Sequence, residues 1–281
     1  MMQLKRKYVN KPGISEVVSK ADGLQSLQLS MLQLAPGETY HGRFEDQETA
    51  FVILSGTCTV VGGSQVFSNI GGRREVFDGP GYTVYLPAGC EFDVTAHTWM
   101  EAALGSTPSQ PGGHPLLIQP GDVQRSSRGV LNWRRNIWDV MPPEFPSQHM
   151  VVVEVITPPG NWSSVPPHRH EEDHLPVEVH QEEIYFYRLK PVQGFAMQRI
   201  YTDDGTLDEA VVAQHNDAVL VPRGYHPVAV APGYTCYYLN FLSGNLKATA
   251  PRDDPQHAWL KSFEVIAREW GHSLPGYEKK E

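Results

Sequence analysis

EIYFYRLKP, residues 183–191, opens on a glutamate and runs on as an aromatic and apolar strand. ETAFVILSG, residues 48–56, does the same. Two further stretches, VYLPAG at 84–89 and VLVPRG at 219–224, are strands that end in Pro-x-Gly turns. Glu48 to Pro87 and Glu183 to Pro222 are both 39 residues, so both pairs repeat at an offset of 135, near half the chain. Equal spacing of two matched pairs is the signature of a duplicated β unit. Removing 135 from later positions sets Gln33, Ala35, Glu48 and Glu91 against His168, His170, Glu183 and His226.

Composition agrees with strands. The 281 residues include 25 Gly and 23 Pro, many beside short runs of Val, Ile, Tyr and Phe. That is how strands separated by turns read. Hydrophobic residues make up 40% and charged residues 20%, enough to bury a full core. The net charge of −9 argues against nucleic-acid or anionic-membrane partners, which would select a basic face. No apolar run approaches the roughly 18 residues of a membrane helix. MMQLKRKYVNKPG at the start has basic residues with no apolar stretch behind them, unlike a secretory signal. Cys58, Cys90 and Cys236 lie far apart and leave one thiol over in any pairing, which fits a reducing, cytoplasmic setting. Nothing in the sequence excludes a homo-oligomer.

The repeat predicts an all-β chain of two domains, residues 1–125 and 126–281, joined near QRSSRGVLN (124–132). GSTPSQPGGHPLLIQPGD, residues 105–122, reads as loop or irregular strand. HAWLKSFEVIAREWG (257–271) is the one strong helix, with Trp259, Phe263, Ile266 and Trp270 on a single apolar face expected to pack on the body.

Chemistry concentrates in VPPHRHEEDHLPVEVHQEEIYFYRL, residues 165–189, which holds four of the twelve histidines. On an extended strand His168 and His170 point the same way. A glutamate at the start of the following strand can face them: Glu183 shares its face with Tyr185 and Tyr187, Glu182 with Ile184 and Phe186. A third imidazole, His226, follows the second Pro-x-Gly turn. Three imidazoles and a carboxylate suit Zn, Mn, Fe, Co or Ni as a divalent ion. His174 and His180 are expected to be solvated loop residues. P-loop, GxGxxG, HExxH and nucleophile-elbow motifs are absent from the sequence.

His-x-His, Glu, strand, Pro-x-Gly and a closing His resemble the metal-binding pattern of cupins. FDGPGYTVYLPAG, GNWSSVPPHRH, EEIYFYRL, QGFAMQRIYTDDGTLDE, VLVPRGYHPV and GYTCYYLNFLSG are similar, in order, to the 5-deoxy-glucuronate isomerases of myo-inositol catabolism, relatives of the 4-deoxy-5-ketouronate isomerases. The resemblance implies a bicupin, two tandem cupin β-barrels with few helices, with metal ligands at His168, His170, Glu183 and His226. It selects Glu183 over Glu182 because cupins place that ligand six residues before the next turn. The first domain, keeping only Glu48 of the set, is expected to be metal-free.

The implied reaction converts 5-deoxy-D-glucuronate to 5-dehydro-2-deoxy-D-gluconate, an aldose–ketose isomerisation of a small sugar acid. A divalent ion would stabilise an enediolate while a base carries the proton. With Glu183 engaged as a ligand, Glu182 and Tyr185 are the catalytic candidates. Arg199 is expected to grip the substrate carboxylate, with Tyr187 beside it. Two rivals use the same barrel: a metal-dependent cupin dioxygenase, and a cupin that binds a sugar acid without turning it over.

Overall fold

The structure is a computed structural model and describes residues 2–270. Its strand order displays the duplication directly. In one half a six-stranded sheet runs Leu116–Ile118, Thr83–Leu86, Gln47–Ser55, Met100–Pro108, Gln28–Leu34, Gly13–Val18. In the other, Asp217–Val221, Glu182–Lys190, Thr235–Ser243, Met150–Thr157 and Arg135–Met141 repeat the order of its last five strands. Each half adds a four-stranded sheet: Thr39–Arg43, Glu91–Ala96, Thr57–Gly62, Gln65–Gly71 in the first, and Trp162–Ser163, Val228–Val230, Phe195–Tyr201, Asp208–Gln214 in the second. Pairing between these strands is antiparallel throughout. The halves interlock, because the early strand Lys5–Lys7 adds to Asp217–Val221 at the edge of the second large sheet.

Three apolar clusters explain why the central strands are apolar on both faces. Ala50, Val52 and Leu54 of the first half meet Ile184, Phe186, Leu239 and Phe241 of the second in one core between the large sheets. Phe51 and Ile53 turn the other way, into a core shared with the first small sheet. Tyr185, Tyr187 and Leu189 do the same in the second half. Period-2 alternation therefore sends every other residue of one strand to a different core. The fit between halves is tight: a Cβ on Gly105 would lie 2.1 Å from Phe241 Cδ1, so only glycine passes there.

The same alternation corrects the repeat register by one residue. Glu48 pairs with Thr107, and Glu182 pairs with Ser243. The Thr107 and Ser243 hydroxyls lie 2.7 Å apart where the halves meet. Glu48 accepts hydrogen bonds from the backbone N–H groups of Gln148, His149 and Met150, at 2.7, 2.7 and 2.8 Å, and from Tyr85. Glu182 reciprocates, accepting from the N–H groups of Gln25 and Ser26, each at 2.8 Å, and from the Ser26 hydroxyl at 2.6 Å. Glu48 is thus the counterpart of Glu182, not of Glu183, whose place in the first half is taken by Thr49. The sequence offset erred because adjacent glutamates at 182 and 183 match Glu48 equally well.

Two local expectations also change. Gln124–Arg128, within the stretch expected to join the halves, forms an edge strand in a hairpin with Arg135–Met141. The helix forms over Trp259–Trp270, but Trp259, Ile266 and Trp270 are exposed and Ala267 is its buried residue. Its anchorage is local, through Phe263 against Trp133 and Arg268 to the Gly129 carbonyl. No helix among the described residues is long and apolar enough to cross a membrane, and Cys58, Cys90 and Cys236 are free thiols.

Candidate metal centre

Donor atoms of His170, Glu183 and His226 all lie within 4.8 Å of one another, and all three residues are buried. Three elements bring them together: the short strand at His168–Arg169, the start of Glu182–Lys190, and the loop after Asp217–Val221. Glu183 Oε2 is 3.1 Å from His170 Nε2 and 3.4 Å from His226 Nε2. His168 stands beside this group, its ring centre 4.9 Å from that of His226, and lines the same cavity.

The imidazoles are oriented from behind. Nδ1 of His168, His170 and His226 lies 3.3, 2.5 and 2.8 Å from the carbonyl oxygens of Pro166, Gln181 and Gly224. A carbonyl can only accept, so each Nδ1 holds the proton and each Nε2 is directed inward as a donor of its lone pair. The Nε2 of His226 is buried and makes no hydrogen bond. Burial would raise the Glu183 pKa, but the proximity of the His170 and His226 imidazoles outweighs it and holds it at about 2. A carboxylate this acidic, facing inward-pointing imidazole nitrogens, calls for positive charge between them. The set fits a divalent metal in both chemistry and orientation.

The acids of the long loop have a different task. Arg169, between the two histidines, is buried with its Nε 3.2 Å from Glu178 and its Nη1 2.8 Å from Glu171 and Asp203. Glu178 also accepts from the Glu171 N–H at 2.7 Å. This network holds the loop that separates His170 from Glu183. His174 is exposed, as expected, and His180 is half-buried, and neither lines the cavity.

The cavity beside the cluster holds about 180 Å³. That is below the roughly 300–1,000 Å³ of drug-sized sites and suits a small metabolite. Tyr185 lines it, with its hydroxyl 3.3 Å from Ser164 Oγ. Burial, then the Glu183 charge, push the Tyr185 pKa well up, so the phenol keeps its proton. Tyr187 does not reach the cavity and donates instead to Gln198 at 2.8 Å. Arg199 lies outside too: it is exposed, doubly bonded to Asp208 at 2.8 Å, and stacked on Tyr201. Gln198 is the inward residue of that strand, fully buried. Glu182 faces the core between the halves, on the opposite side of its strand from Glu183.

Four polar residues that sequence reasoning passed over line the cavity: Arg128, Arg135, Asp139 and Asn240. Burial raises the Asp139 pKa above the ordinary aspartate value. Arg128, Arg135 and Asp139 sit on the hairpin strands Gln124–Arg128 and Arg135–Met141 and Asn240 on Thr235–Ser243, and only their place along the cavity reveals them.

Residues 3–260 match the KduI/IolB family. The 5-deoxy-glucuronate isomerase of Geobacillus kaustophilus is 38% identical over 258 residues, covering 91% of this chain and 93% of that one. The Bacillus subtilis enzyme of the same name is 38% identical over 249 residues, covering 88% and 92%.

The chain belongs to the KduI/IolB family.

An IolB-like protein of Salmonella typhimurium superposes with a TM-score of 0.89 at 34% identity, covering 92% of this chain and 99% of its own. An oxalate decarboxylase of Lactobacillus farciminis shares the fold at 13% identity, with a TM-score of 0.68 over 99% of this chain and 97% of its own. The cupin fold implied by the sequence is therefore that of this KduI/IolB protein. Within the family frame, the His170, Glu183 and His226 cluster lies in the second half.

Proposed function

We propose that the protein is an isomerase that interconverts 5-deoxy-D-glucuronate and 5-dehydro-2-deoxy-D-gluconate in the cytoplasm. Relatives carrying that activity in their names align over most of the chain. The observation that supports it in this molecule is the inward-facing His170, Glu183 and His226 group, two members of which line a small cavity.

His168, His170, Glu183 and His226 would hold a divalent ion. Bound there, it supplies positive charge to the two oxygens of the isomerising carbon pair. The residues of the chain do the rest. Val153, Val155 and Leu242 wall the cavity and exclude water from the reacting carbons. Asp139 is the cavity's carboxylate outside the metal set, and we assign it the proton: it takes one from the hydroxyl-bearing carbon and returns it to the former aldehyde carbon. Tyr185 keeps its proton and hydrogen-bonds to a substrate oxygen, while the hydroxyl proton passes from one oxygen of the reacting pair to the other, so none is gained or lost.

This gives Asp139 a visible signature. Its pKa is raised by burial, so activity is expected to fall, as pH drops, at values above the ordinary aspartate range. Asp139→Asn should lose about a hundredfold or more in kcat with metal content unchanged. A pH profile and rate identical to the parent's would remove Asp139 from the role.

The assay on purified protein supplies 5-deoxy-glucuronate, follows ketose formation and oxygen uptake together, and measures metal in the same sample. Turnover without oxygen uptake, abolished by chelation and restored by a divalent ion, is expected. Stoichiometric oxygen uptake would favour a dioxygenase. Binding without turnover would favour a sugar-acid-binding cupin.

A further inference from the structure

We propose that Arg135, supported by Arg128, is the anchor for the substrate's carboxylate, an inference that rests on the sugar-acid reading above. Both arginines line the cavity that holds His168, His170 and Glu183. They are direct cross-strand partners in the hairpin of Gln124–Arg128 and Arg135–Met141. Like charges placed opposite one another in a sheet are unfavourable, and a chain of net charge −9 has no shortage of acids to separate them. Arg128 has one acid nearby, Asp139 at 3.7 Å. Arg135 is more telling. Its half-buried side chain makes neither an ion pair nor a hydrogen bond among the described residues. Every other arginine withdrawn to a comparable or greater degree here is answered: Arg73 by Glu154, Arg169 by Glu178, Arg188 by Glu101. A guanidinium taken from water without an anion is costly, so a site that keeps one open is built to receive an anion.

Position adds to charge. Arg135 precedes Ile137 and Asp139 on the inward face of its strand. Across the sheet, Asp139 pairs with Val153, Val153 with Asn240, and Asn240 with Tyr185, and Glu183 is the next inward residue beyond Tyr185. The arginine and the metal cluster therefore stand at opposite ends of one inward surface, with Asp139, Asn240 and Tyr185 between them. Asn240 Oδ1 and Gln181 Nε2 are buried, line the cavity, and have no partner, as groups waiting for hydroxyls would. An open-chain sugar acid has this layout: carbonyl carbon at one end, hydroxyls in the middle, carboxylate at the other. Arg199, tied to Asp208 outside, cannot serve.

The test compares parent, Arg135→Leu and Arg135→Lys, each checked for metal content and thermal midpoint. One arm measures turnover of 5-deoxy-glucuronate, and the other titrates D-glucuronate and the neutral sugar D-xylose as binding probes. The parent should bind D-glucuronate in preference to D-xylose. Arg135→Leu should weaken D-glucuronate binding about tenfold to a hundredfold and leave D-xylose unchanged. Arg135→Lys should fall between, because a lysine keeps the charge but not the paired N–H geometry. The same loss should appear mainly in KM for turnover, with metal content intact. If Arg135→Leu binds D-glucuronate as well as the parent, or the parent does not favour D-glucuronate, the anchor is not Arg135. A parent that prefers D-glucuronate through Arg135 yet does not turn over 5-deoxy-glucuronate would keep the anchor and overturn the isomerase reading instead.

Discussion

Glu183→Gln is expected to strip the protein of its divalent ion and of its activity together, while the chain still folds. The change keeps the side chain's shape and removes one charge. In the parent, one carboxylate oxygen of Glu183 faces the Nε2 atoms of both His170 and His226. Those nitrogens are held inward by backbone carbonyls, so their lone pairs converge with the carboxylate on one point. The neutral amide removes the carboxylate charge from the site, and its N–H can hydrogen-bond to an imidazole lone pair that the metal would otherwise use. Loss of a group that only supports a ligand already costs about 10–100-fold in metal affinity, so loss of the ligand charge should exceed a hundredfold. Metal analysis after dialysis, with activity on the same sample, reads both effects. The thermal midpoint of the metal-free variant should stay close to that of metal-free parent, since the apolar clusters do not include these residues. Full metal occupancy in Glu183→Gln would show that Glu183 is not a ligand.

The largest expected loss of stability falls on a residue with no catalytic part. Glu48 is fully buried between the halves and accepts from three backbone N–H groups and the Tyr85 hydroxyl. Glu48→Ala leaves two buried and two part-buried donors without this acceptor, the buried ones costing about 1–3 kcal/mol each and the others less, for a total of roughly 4 kcal/mol. For a chain of this size that corresponds to a fall of roughly 10 °C in thermal midpoint. Glu182→Ala removes the reciprocal clamp on Gln25 and Ser26 and should fall by a similar, slightly smaller amount. Both variants should keep their metal and, below their midpoints, their turnover. Glu182→Ala thereby separates a structural carboxylate from the catalytic base that its neighbouring position first suggested. A midpoint within about 2 °C of the parent for Glu48→Ala would refute the clamp.

Sequence alone determined the β architecture and named candidate ligands, of which the structure draws His170, Glu183 and His226 together. Gly, Pro and apolar runs called for strands, the paired Glu-strand and Pro-x-Gly stretches pointed to duplication even though their register was one residue off, and His-x-His with a distant glutamate and a Pro-x-Gly histidine named the candidate donors. These features are local, because each depends on residue type and a fixed interval along one strand or turn, and such intervals survive folding unchanged. What the sequence left open was which way each strand faces once two sheets sandwich it. In a half-exposed strand, polarity marks the outer face. In Glu182–Lys190 both faces are buried, so no contrast between residues distinguishes Glu182 from Glu183, and one residue of register decides between clamp and ligand. The same ambiguity placed Arg199 inward, where Gln198 points, and left no sign that Arg135 and Asp139 face a cavity. Only tertiary structure decides these positions, because the face a side chain occupies is set by the sheet packed against it and not by its neighbours in the chain.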